Sequence, residues 1–325
     1  MKQLLFLAAL LAMGTPRMLA ADANTVEIAY SGTTATVTIA DNIASYVTAS
    51  ANGAHVTITQ TNTADVDGAE ITYILSGTST NGEFYLNGSY KCTVSLNGLT
   101  LTNPSGAAIS IYNGKRIKVK AETNTENTLV DGSGSQKGCL YVKGHLELRG
   151  YGTLNVTGNF AHGIKSGEYM SVKNLTVNVK SAVKDGMNCN EYFLMESGTV
   201  NITNAAGDGI QCDIDNTAGT SIAASDDQHT DEDTGNVYMT GGTLNIALAS
   251  TSTGKLIKAA GEISMTGGTY NGVTGIETVP VSTTATSAPS VIYDLSGRQY
   301  ADGSALPHGV YIIHNNGKTY KVNVK

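Results

Sequence analysis

The sequence is poor in charge, and it lacks any apolar run long enough to cross a membrane. Charged residues make up 14% of the 325 residues, and the formal net charge is -7. This balance argues against a nucleic acid or an anionic membrane as a partner, because both attract basic proteins. A transmembrane helix needs about 20 consecutive apolar residues. The sequence therefore predicts no nucleic-acid-binding function and no transmembrane segment.

Tryptophan is absent, and cysteine occurs only four times. The cysteines show no zinc-binding spacing, and they are too few for a dense disulfide framework. Cys189 and Cys212 occur in the similar stretches "MNCN" and "IQCD". If these stretches occupy equivalent places in neighbouring repeats, the two Cα atoms are close enough for a disulfide. Two buried free thiols are equally compatible with this placement.

The N-terminus has the features of a secretory signal. The stretch "MKQLLFLAALLAMG" has a basic start and a short apolar run, and "AADA" offers small residues for cleavage. A membrane anchor is the alternative, but the apolar run is too short to span a bilayer. We expect residues 1–23 to be a signal peptide and the mature protein to be secreted or displayed on the cell surface.

A regular repeat organises the middle of the chain. The stretches "FAHGIKSG", "VKDGMNCN" and "AAGDGIQCD" place His162, Asp185 and Asp208 at equal intervals. Each of these residues precedes a glycine, and we expect Gly163, Gly186 and Gly209 to form sharp turns at positive φ. An asparagine marks the register in successive copies: Asn155, Asn178, Asn201 and Asn245. The last step is nearly twice as long as the others, which corresponds to two repeats or to one repeat with an insertion.

Each copy alternates apolar and polar residues, which is typical of β-strands rather than of the leucine-rich repeats with a similar period. The sequence predicts an all-β, right-handed parallel β-helix of about 23 residues per coil, a period in the range of repeat architectures. An N-terminal β cap and a small C-terminal β unit are expected at its ends. Two inward aliphatic ladders are predicted, namely Leu154, Val177, Val200 and Leu244, and Val156, Val179, Ile202 and Ile246.

The expected domain boundaries follow from composition. Residues 24–276 form the predicted β-helix, and residues 277–289, "ETVPVSTTATSAP", have the composition of a linker. Residues 290–325 contain strand patterns with turns between them, and they form the small C-terminal unit.

Acidic residues cluster around the last turns of the repeat. Calcium prefers several oxygen ligands, and stacked Asp185 and Asp208 would bring two carboxylates together. The sequence predicts a calcium site with these ligands: Asp185, Asp208, Asp213, Asp231, Glu232 and Asp233. In the alternative, Asp185 and Asp208 accept hydrogen bonds from turn amides, and the acidic run after Asp213 is a solvated loop.

Several stretches resemble a known family in combination and order: "ITYILSGTSTNGEFYLNG", "VSLNGLTLTNPSGAAISI", the "DGM" and "DGI" turns, and "DEDTGNVYMTGGT". Residues 55–275 resemble secreted bacterial carbohydrate-binding proteins with a polysaccharide-lyase-like β-helix. The resemblance implies a polysaccharide partner such as cellulose or polygalacturonate, bound calcium and no established lyase activity. The coil with "STGKLIKA" departs from the pattern because it lacks an aspartate, which argues against calcium in that coil.

The C-terminal tail resembles a second kind of module. Through "IYDLSGR" and "GVYII" it is similar to the sorting domain of the type IX secretion route. The resemblance implies that the tail engages the secretion machinery.

The predicted glycan contacts follow from the repeat. Tyr169 and Tyr192 are one repeat apart and are predicted to stack outward as a platform, with Lys165 beside them. An outward strip of Asn155, Asn178 and Asn201 is predicted to supply amide contacts. The absence of tryptophan weakens the case for an aromatic platform. In the alternative, the tyrosines cover turns, and the asparagines stabilise the stack without any ligand.

The sequence favours a noncatalytic carbohydrate-binding protein, and no catalytic residue is assigned. A calcium-dependent pectate-type lyase is the enzymatic alternative, in which calcium neutralises a uronate while Lys or Arg removes a proton. Lys165 and Lys184 lie near the turns, but no arginine occurs between Arg149 and Arg298. His162 fits a turn residue better than a base. A surface adhesin or structural spacer is the second alternative.

Overall fold

Almost all the regular secondary structure of the described residues is β-strand. The structure, a computed structural model, describes residues 21–214, 232–271, 273–274, 291–300, 306–315 and 318–324. In these residues the helical structure is limited to one 3-10 turn at Asp41–Ile43. None of the described segments forms a helix with the length and apolarity needed to span a bilayer.

Two antiparallel hairpins begin the structure. They are made of β1 (Thr25–Ser31), β2 (Thr34–Ile39), β3 (Val47–Asn52) and β4 (Ala54–Gln60). Strand β1 then pairs in parallel with β5 (Ile71–Ser79), and β4 pairs in parallel with β6 (Gly82–Gly88). The hairpins thus cover the end of a parallel stack, which confirms the predicted N-terminal β cap.

The following coils stack as three parallel ladders. The first face continues from β6 through β8 (Ile109–Tyr112), β11 (Gly138–Val142), β14 (His162–Ser166), β17 (Met187–Asn190), β20 (Ile210–Asp213) and β23 (Ile257–Ala259). The second face consists of β9 (Ile117–Ala121), β12 (Leu146–Gly150), β15 (Met170–Val172), β18 (Tyr192–Met195), β21 (Asn236–Met239) and β24 (Ile263–Met265).

The third face consists of β10 (Glu126–Asp131), β13 (Thr153–Gly158), β16 (Thr176–Ala182), β19 (Thr199–Ala205), β22 (Thr243–Leu248) and β25 (Thr269–Tyr270). The long strand β7 (Cys92–Asn103) pairs with β5, β9 and β10, so it joins the second and third faces. The chain therefore forms the predicted parallel β-helix, with three strands in each coil.

The core runs along the inside of the stack. Leu154, Val177, Val200 and Leu244 are register partners, and so are Val156, Val179, Ile202 and Ile246. These side chains are buried, which confirms both predicted ladders. Burying an aliphatic side chain of this size contributes about 1.5–3 kcal/mol. A column of such residues therefore favours the in-register stack over a slipped one.

The long step between Asn201 and Asn245 corresponds to one coil with an insertion. Thr199 pairs directly with Thr243 on the neighbouring strand, so no further coil lies between them. The added residues fall between Asp213 at the end of β20 and Asn236 at the start of β21. The acidic run is therefore an insertion into a single coil.

The expected positive φ at the three repeat glycines is wrong. Gly163, Gly186 and Gly209 are not among the residues with positive φ. Glycine is required at these positions because a Cβ atom would collide with neighbouring atoms. A Cβ on Gly186 would lie 2.5 Å from Cγ2 of Ile202, and a Cβ on Gly163 would lie 2.7 Å from Cγ1 of Val179. Glycine lets the turn approach the branched side chains of the core.

Cys189 and Cys212 are direct register partners on β17 and β20. Both side chains are buried, and both are free thiols in the structure. A hydrogen bond with Cys189 and burial together raise the pKa of the Cys212 thiol. The predicted equivalence of the two positions is confirmed. The structure has two buried free thiols there rather than a disulfide.

A small antiparallel sheet ends the chain. It consists of β27 (Val291–Asp294), β28 (Gln299–Tyr300), β29 (Gly309–Asn315) and β30 (Lys318–Val324). Before it, β26 (Val273–Thr274) pairs antiparallel with β25. The amine of Lys321 donates to the carbonyl oxygen of Met265 at 2.7 Å, so the sheet packs on the last coil. The predicted small C-terminal β unit is confirmed.

Candidate carbohydrate-binding faces

The turn residues before the repeat glycines form a ladder of hydrogen-bond acceptors. Nδ1 of His162 accepts the backbone N–H of Asp185 at 3.3 Å, and Oδ1 of Asp185 accepts the N–H of Asp208 at 2.8 Å. In the next coil Oδ1 of Asp208 accepts the N–H of Lys255 at 2.6 Å. Each side chain thus binds the amide at the equivalent place one coil later, as the turn-forming alternative predicted.

The remaining oxygens of the two aspartates also face protein groups. Oδ2 of Asp185 accepts from Nδ2 of Asn188 at 2.7 Å, and Oδ2 of Asp208 lies 3.6 Å from Nζ of Lys258. Burial acts to raise the pKa of Asp185, but the nearby His162 ring and hydrogen bonds from Asn188 and the Asp208 amide outweigh it and hold that pKa below its ordinary value. Calcium at this place stays a prediction, and it would have to displace Asn188 and Lys258.

Asp213, a further predicted calcium ligand, ends strand β20, whereas Asp208 precedes that strand. Its Oδ2 accepts from Nε2 of Gln211 at 2.6 Å. That Asp213 and Asp208 share one calcium ion stays a prediction.

The acidic residues after the insertion lie beside the second face. Oε1 of Glu232 accepts from the hydroxyl of Thr234 at 2.7 Å and from Nδ2 of Asn236 at 3.1 Å, and it also contacts the hydroxyl of Tyr238. Asp233 is half-buried. Asp231 lies outside the described residues, and its role as a ligand stays a prediction.

Tyr169 and Tyr192 stack as predicted, but they do not form an exposed platform. Their ring centroids are 4.9 Å apart and their planes differ by 17°. Both side chains are 0% exposed. The rings lie outside the main core, where a second apolar cluster with Leu194 and Tyr238 encloses them. The prediction that these rings face a glycan is wrong because the cluster buries them.

The asparagine ladder is continuous and bonded along its length. Nδ2 of Asn178 donates to Oδ1 of Asn155 at 3.0 Å, and Nδ2 of Asn201 donates to Oδ1 of Asn178 at 2.8 Å. Asn245 continues the ladder, and Asn155 itself donates to Oε1 of Glu126 at 2.9 Å. Asn155 is buried. These bonds match the structural alternative, and a contact of the ladder with glycan stays a prediction.

Lys165 lies on the outer side of the first face. Its amine donates to Oδ1 of Asn188 at 2.5 Å and to Oδ1 of Asn190 at 3.2 Å. Burial lowers the pKa of Lys165 below its ordinary value. On the preceding strand its register partner is Tyr141.

Tyr141 belongs to a row of aromatic rings that the repeat did not reveal. Tyr85 and Tyr112 stack with centroids 5.3 Å apart and planes 28° apart, and Tyr112 meets the edge of Tyr141 at 5.4 Å. Tyr112 is 43% exposed, Tyr85 is half-buried and Tyr141 is mostly buried. We call Tyr85, Tyr112 and Tyr141 the tyrosine row. It runs across three consecutive strands of the first face, directly before Lys165.

A sequence signal for the tyrosine row exists, but it is weak. The stretches "EFYLNG", "ISIYNG" and "CLYVKG" each place a tyrosine shortly before a turn that ends in glycine. Their spacings are unequal and longer than the repeat, so a search for the regular period passes over them.

The second face carries a positively charged groove of about 510 Å³. We call it the basic groove, and its four cationic side chains are Lys118, Lys120, Arg149 and Lys173. Glu122 also lines it and lies 2.9 Å from Lys120. Arg149 is 7% exposed and lies 3.7 Å from Glu196. Tyr151, which is 69% exposed, also lines the groove. The cations outnumber the carboxylates among the lining residues, although Glu70, Glu147 and Glu196 pair with Lys118, Arg149 and Lys173 from outside the lining.

The comparison with known proteins identifies the family of the chain. The family model described as "carbohydrate-binding domain-containing protein" matches residues 52–292. The chain belongs to this family. A carbohydrate-binding domain-containing protein of Acetivibrio thermocellus is 25% identical over 120 residues, which cover 34% of this chain and 42% of that relative. The chain therefore aligns with less than half the length of this relative.

A solved structure supports the fold. It is described as the structure of the polysaccharide lyase-like protein from C. thermocellum, gadolinium derivative. The alignment has a TM-score of 0.55 and 22% identity, and it covers 74% of this chain and 96% of that one. The carbohydrate-binding family and the polysaccharide-lyase-like fold are the ones that the resemblance in the sequence implied.

Proposed function

We propose that this carbohydrate-binding protein is exported and binds a polysaccharide on its first face without cleaving it. The observation that carries the proposal is the stacked pair of Tyr85 and Tyr112, with Tyr112 open to solvent. The C–H face of a pyranose ring is apolar, and it packs favourably on an aromatic ring. The row follows the stacking direction of the coils, so it offers successive contacts to an extended chain.

Polar groups continue the tyrosine row along the first face. Lys165, Asn188, Gln211 and Lys258 occupy successive register positions after Tyr141. Two ammonium groups and two amides can bond the hydroxyl and carboxylate groups of a sugar. Rings followed by polar groups thus favour a linear glycan that spans several coils.

A second surface favours an acidic glycan. The basic groove presents four cations, and a chain of uronic acids such as polygalacturonate carries one carboxylate on each sugar. Attraction between such charges is screened by salt. Binding at the groove therefore predicts a strong salt dependence, whereas stacking of a neutral chain such as cellulose on the tyrosine row predicts a weak one.

The lyase alternative rests on the same groove. Arg149 lies 3.8 Å from Glu147 and 3.7 Å from Glu196, and Lys173 lies 3.1 Å from Glu196. A base must reach the proton beside a uronate while a cation neutralises the carboxylate. These ion pairs fix the cationic groups beside carboxylates, which favours a role in binding over a role as a base.

One set of experiments separates the candidate functions. The exported protein is mixed with cellulose and with polygalacturonate, with and without a calcium chelator, and ultraviolet absorbance records any unsaturated uronate. Binding without product supports the proposal, and product supports the lyase. Failure to bind either glycan supports the adhesin or spacer. Loss of binding with chelator would support calcium as a bridging or structural ion.

A further inference from the structure

Three potential metal ligands meet beside the second face. His145, Glu168 and Glu191 come from consecutive coils, just before strands β12, β15 and β18. One ligand atom from each lies within 4.8 Å of the other two. His145 and Glu191 are buried, and Glu168 is half-buried. The predicted calcium ligands do not include any of the three residues.

The separation of the histidine and the nearer carboxylate fits two ligands of one ion. Nε2 of His145 lies 3.6 Å from Oε2 of Glu191. This distance is too long for a good hydrogen bond. Two ligands that each bind a tetrahedral ion at about 2.1 Å are separated by about 3.4 Å. The observed gap therefore matches a bridging cation better than direct contact.

The electrostatics of the cluster also favour a cation. Glu191 is buried and Glu168 is half-buried on the neighbouring coil, so their carboxylates repel each other more than they would in water.

The surrounding groups hold the ligands in place. The ring of Tyr169 packs against the ring of His145 with centroids 4.7 Å apart, and its backbone N–H donates to Oε2 of Glu191 at 3.2 Å. Tyr192 stacks on the other side of Tyr169. Such outer contacts orient metal ligands and strengthen binding. The buried rings of Tyr169 and Tyr192 therefore form one wall of the site.

We propose that His145, Glu168 and Glu191 bind a divalent transition-metal ion such as Zn²⁺. An imidazole with two carboxylates suits zinc or manganese, whereas calcium prefers oxygen ligands alone. The site is separate from the tyrosine row and the basic groove. It therefore stands whether or not either surface binds glycan.

Calorimetric titration of the chelator-treated full chain with ZnCl₂, and separately with CaCl₂, tests the proposal. The wild type is expected to bind one zinc ion, and His145→Gln and Glu191→Gln are expected to bind it at least about ten-fold more weakly. Glu196→Gln is the matched control, because it removes a carboxylate that pairs with Arg149 and Lys173 instead. Its zinc affinity is expected to equal that of the wild type.

A measurement on the wild type alone covers the case in which the variants do not fold. X-ray absorption at the zinc edge is expected to show one histidine nitrogen and carboxylate oxygens at about 2.0–2.2 Å. Absence of zinc binding by the wild type, or a zinc shell without histidine, would overturn the proposal. Equal affinity of the wild type and folded His145→Gln would overturn it as well.

Discussion

Oδ1 of Asp185 accepts the backbone N–H of Asp208 at 2.8 Å, across the gap between two successive coils. The same bond recurs from His162 to the Asp185 amide and from Asp208 to the Lys255 amide. The carboxylates that suggested an ion thus already satisfy buried turn amides. These hydrogen bonds fix the spacing between the equivalent turns of successive coils.

Asp185→Ala is expected to destabilise the protein by about 1–3 kcal/mol, because the Asp208 amide then loses its acceptor. Asp185→Asn keeps an oxygen at this position and is expected to cost less. Urea unfolding of the three proteins measures the difference. Equal stability of Asp185→Ala and the wild type would contradict the ladder.

Gly186→Ala is expected to destabilise the β-helix by about 1–3 kcal/mol, since the added Cβ overlaps Cγ2 of Ile202. Gly114→Ala is the control, because a Cβ there meets nothing within 4 Å. The comparison requires only thermal or urea unfolding. If both variants unfold alike, space at the turn is not what requires glycine.

Lys321 predicts a pH dependence for the C-terminal sheet. Burial lowers its pKa to about 8 in the folded protein, whereas the unfolded chain has a pKa near 10.4. Between these values the unfolded state binds more protons, so stability rises as pH rises from 8 to about 10. Lys321→Met is expected to abolish this rise. Hydrogen exchange of the β30 amides at pH 7 and pH 9 reports it, and an unchanged slope in Lys321→Met would refute the assignment.

The double variant Lys118→Gln, Lys120→Gln is expected to weaken polygalacturonate binding and to reduce its dependence on salt, because two cations of the basic groove are removed. Binding to cellulose is expected to stay unchanged. Affinity measured at several salt concentrations checks both expectations. An unchanged salt dependence would place the acidic glycan elsewhere.

The sequence predicted the fold well because its signal is local and repeated. Asn155 and Asn178 are one repeat apart in the sequence, and in the structure they are bonded neighbours. Exposure was harder to predict. The repeat spacing predicts that Tyr169 and Tyr192 stack, but it does not show the second apolar cluster that covers the rings.

The tyrosine row and the basic groove, the two candidate surfaces, were missed for a different reason. Lys118 and Arg149 lie in coils whose length departs from the repeat, since the register partner of Lys118 is Glu147, which lies further along the chain than one regular repeat. The tyrosine row lies in the same irregular part of the chain. Side chains that converge from unequal coils share no period, so only the folded register brings them together.

The affinity of Tyr112→Ala for glycan tests most directly whether the first face binds the polysaccharide. If the glycan stacks on this ring, its loss is expected to weaken binding about ten-fold, or by ~1.4 kcal/mol. Tyr46→Ala serves as the control, since Tyr46 is 41% exposed and lies outside the tyrosine row. It is expected to bind like the wild type. Undiminished binding by folded Tyr112→Ala would contradict the proposal that the first face holds the polysaccharide.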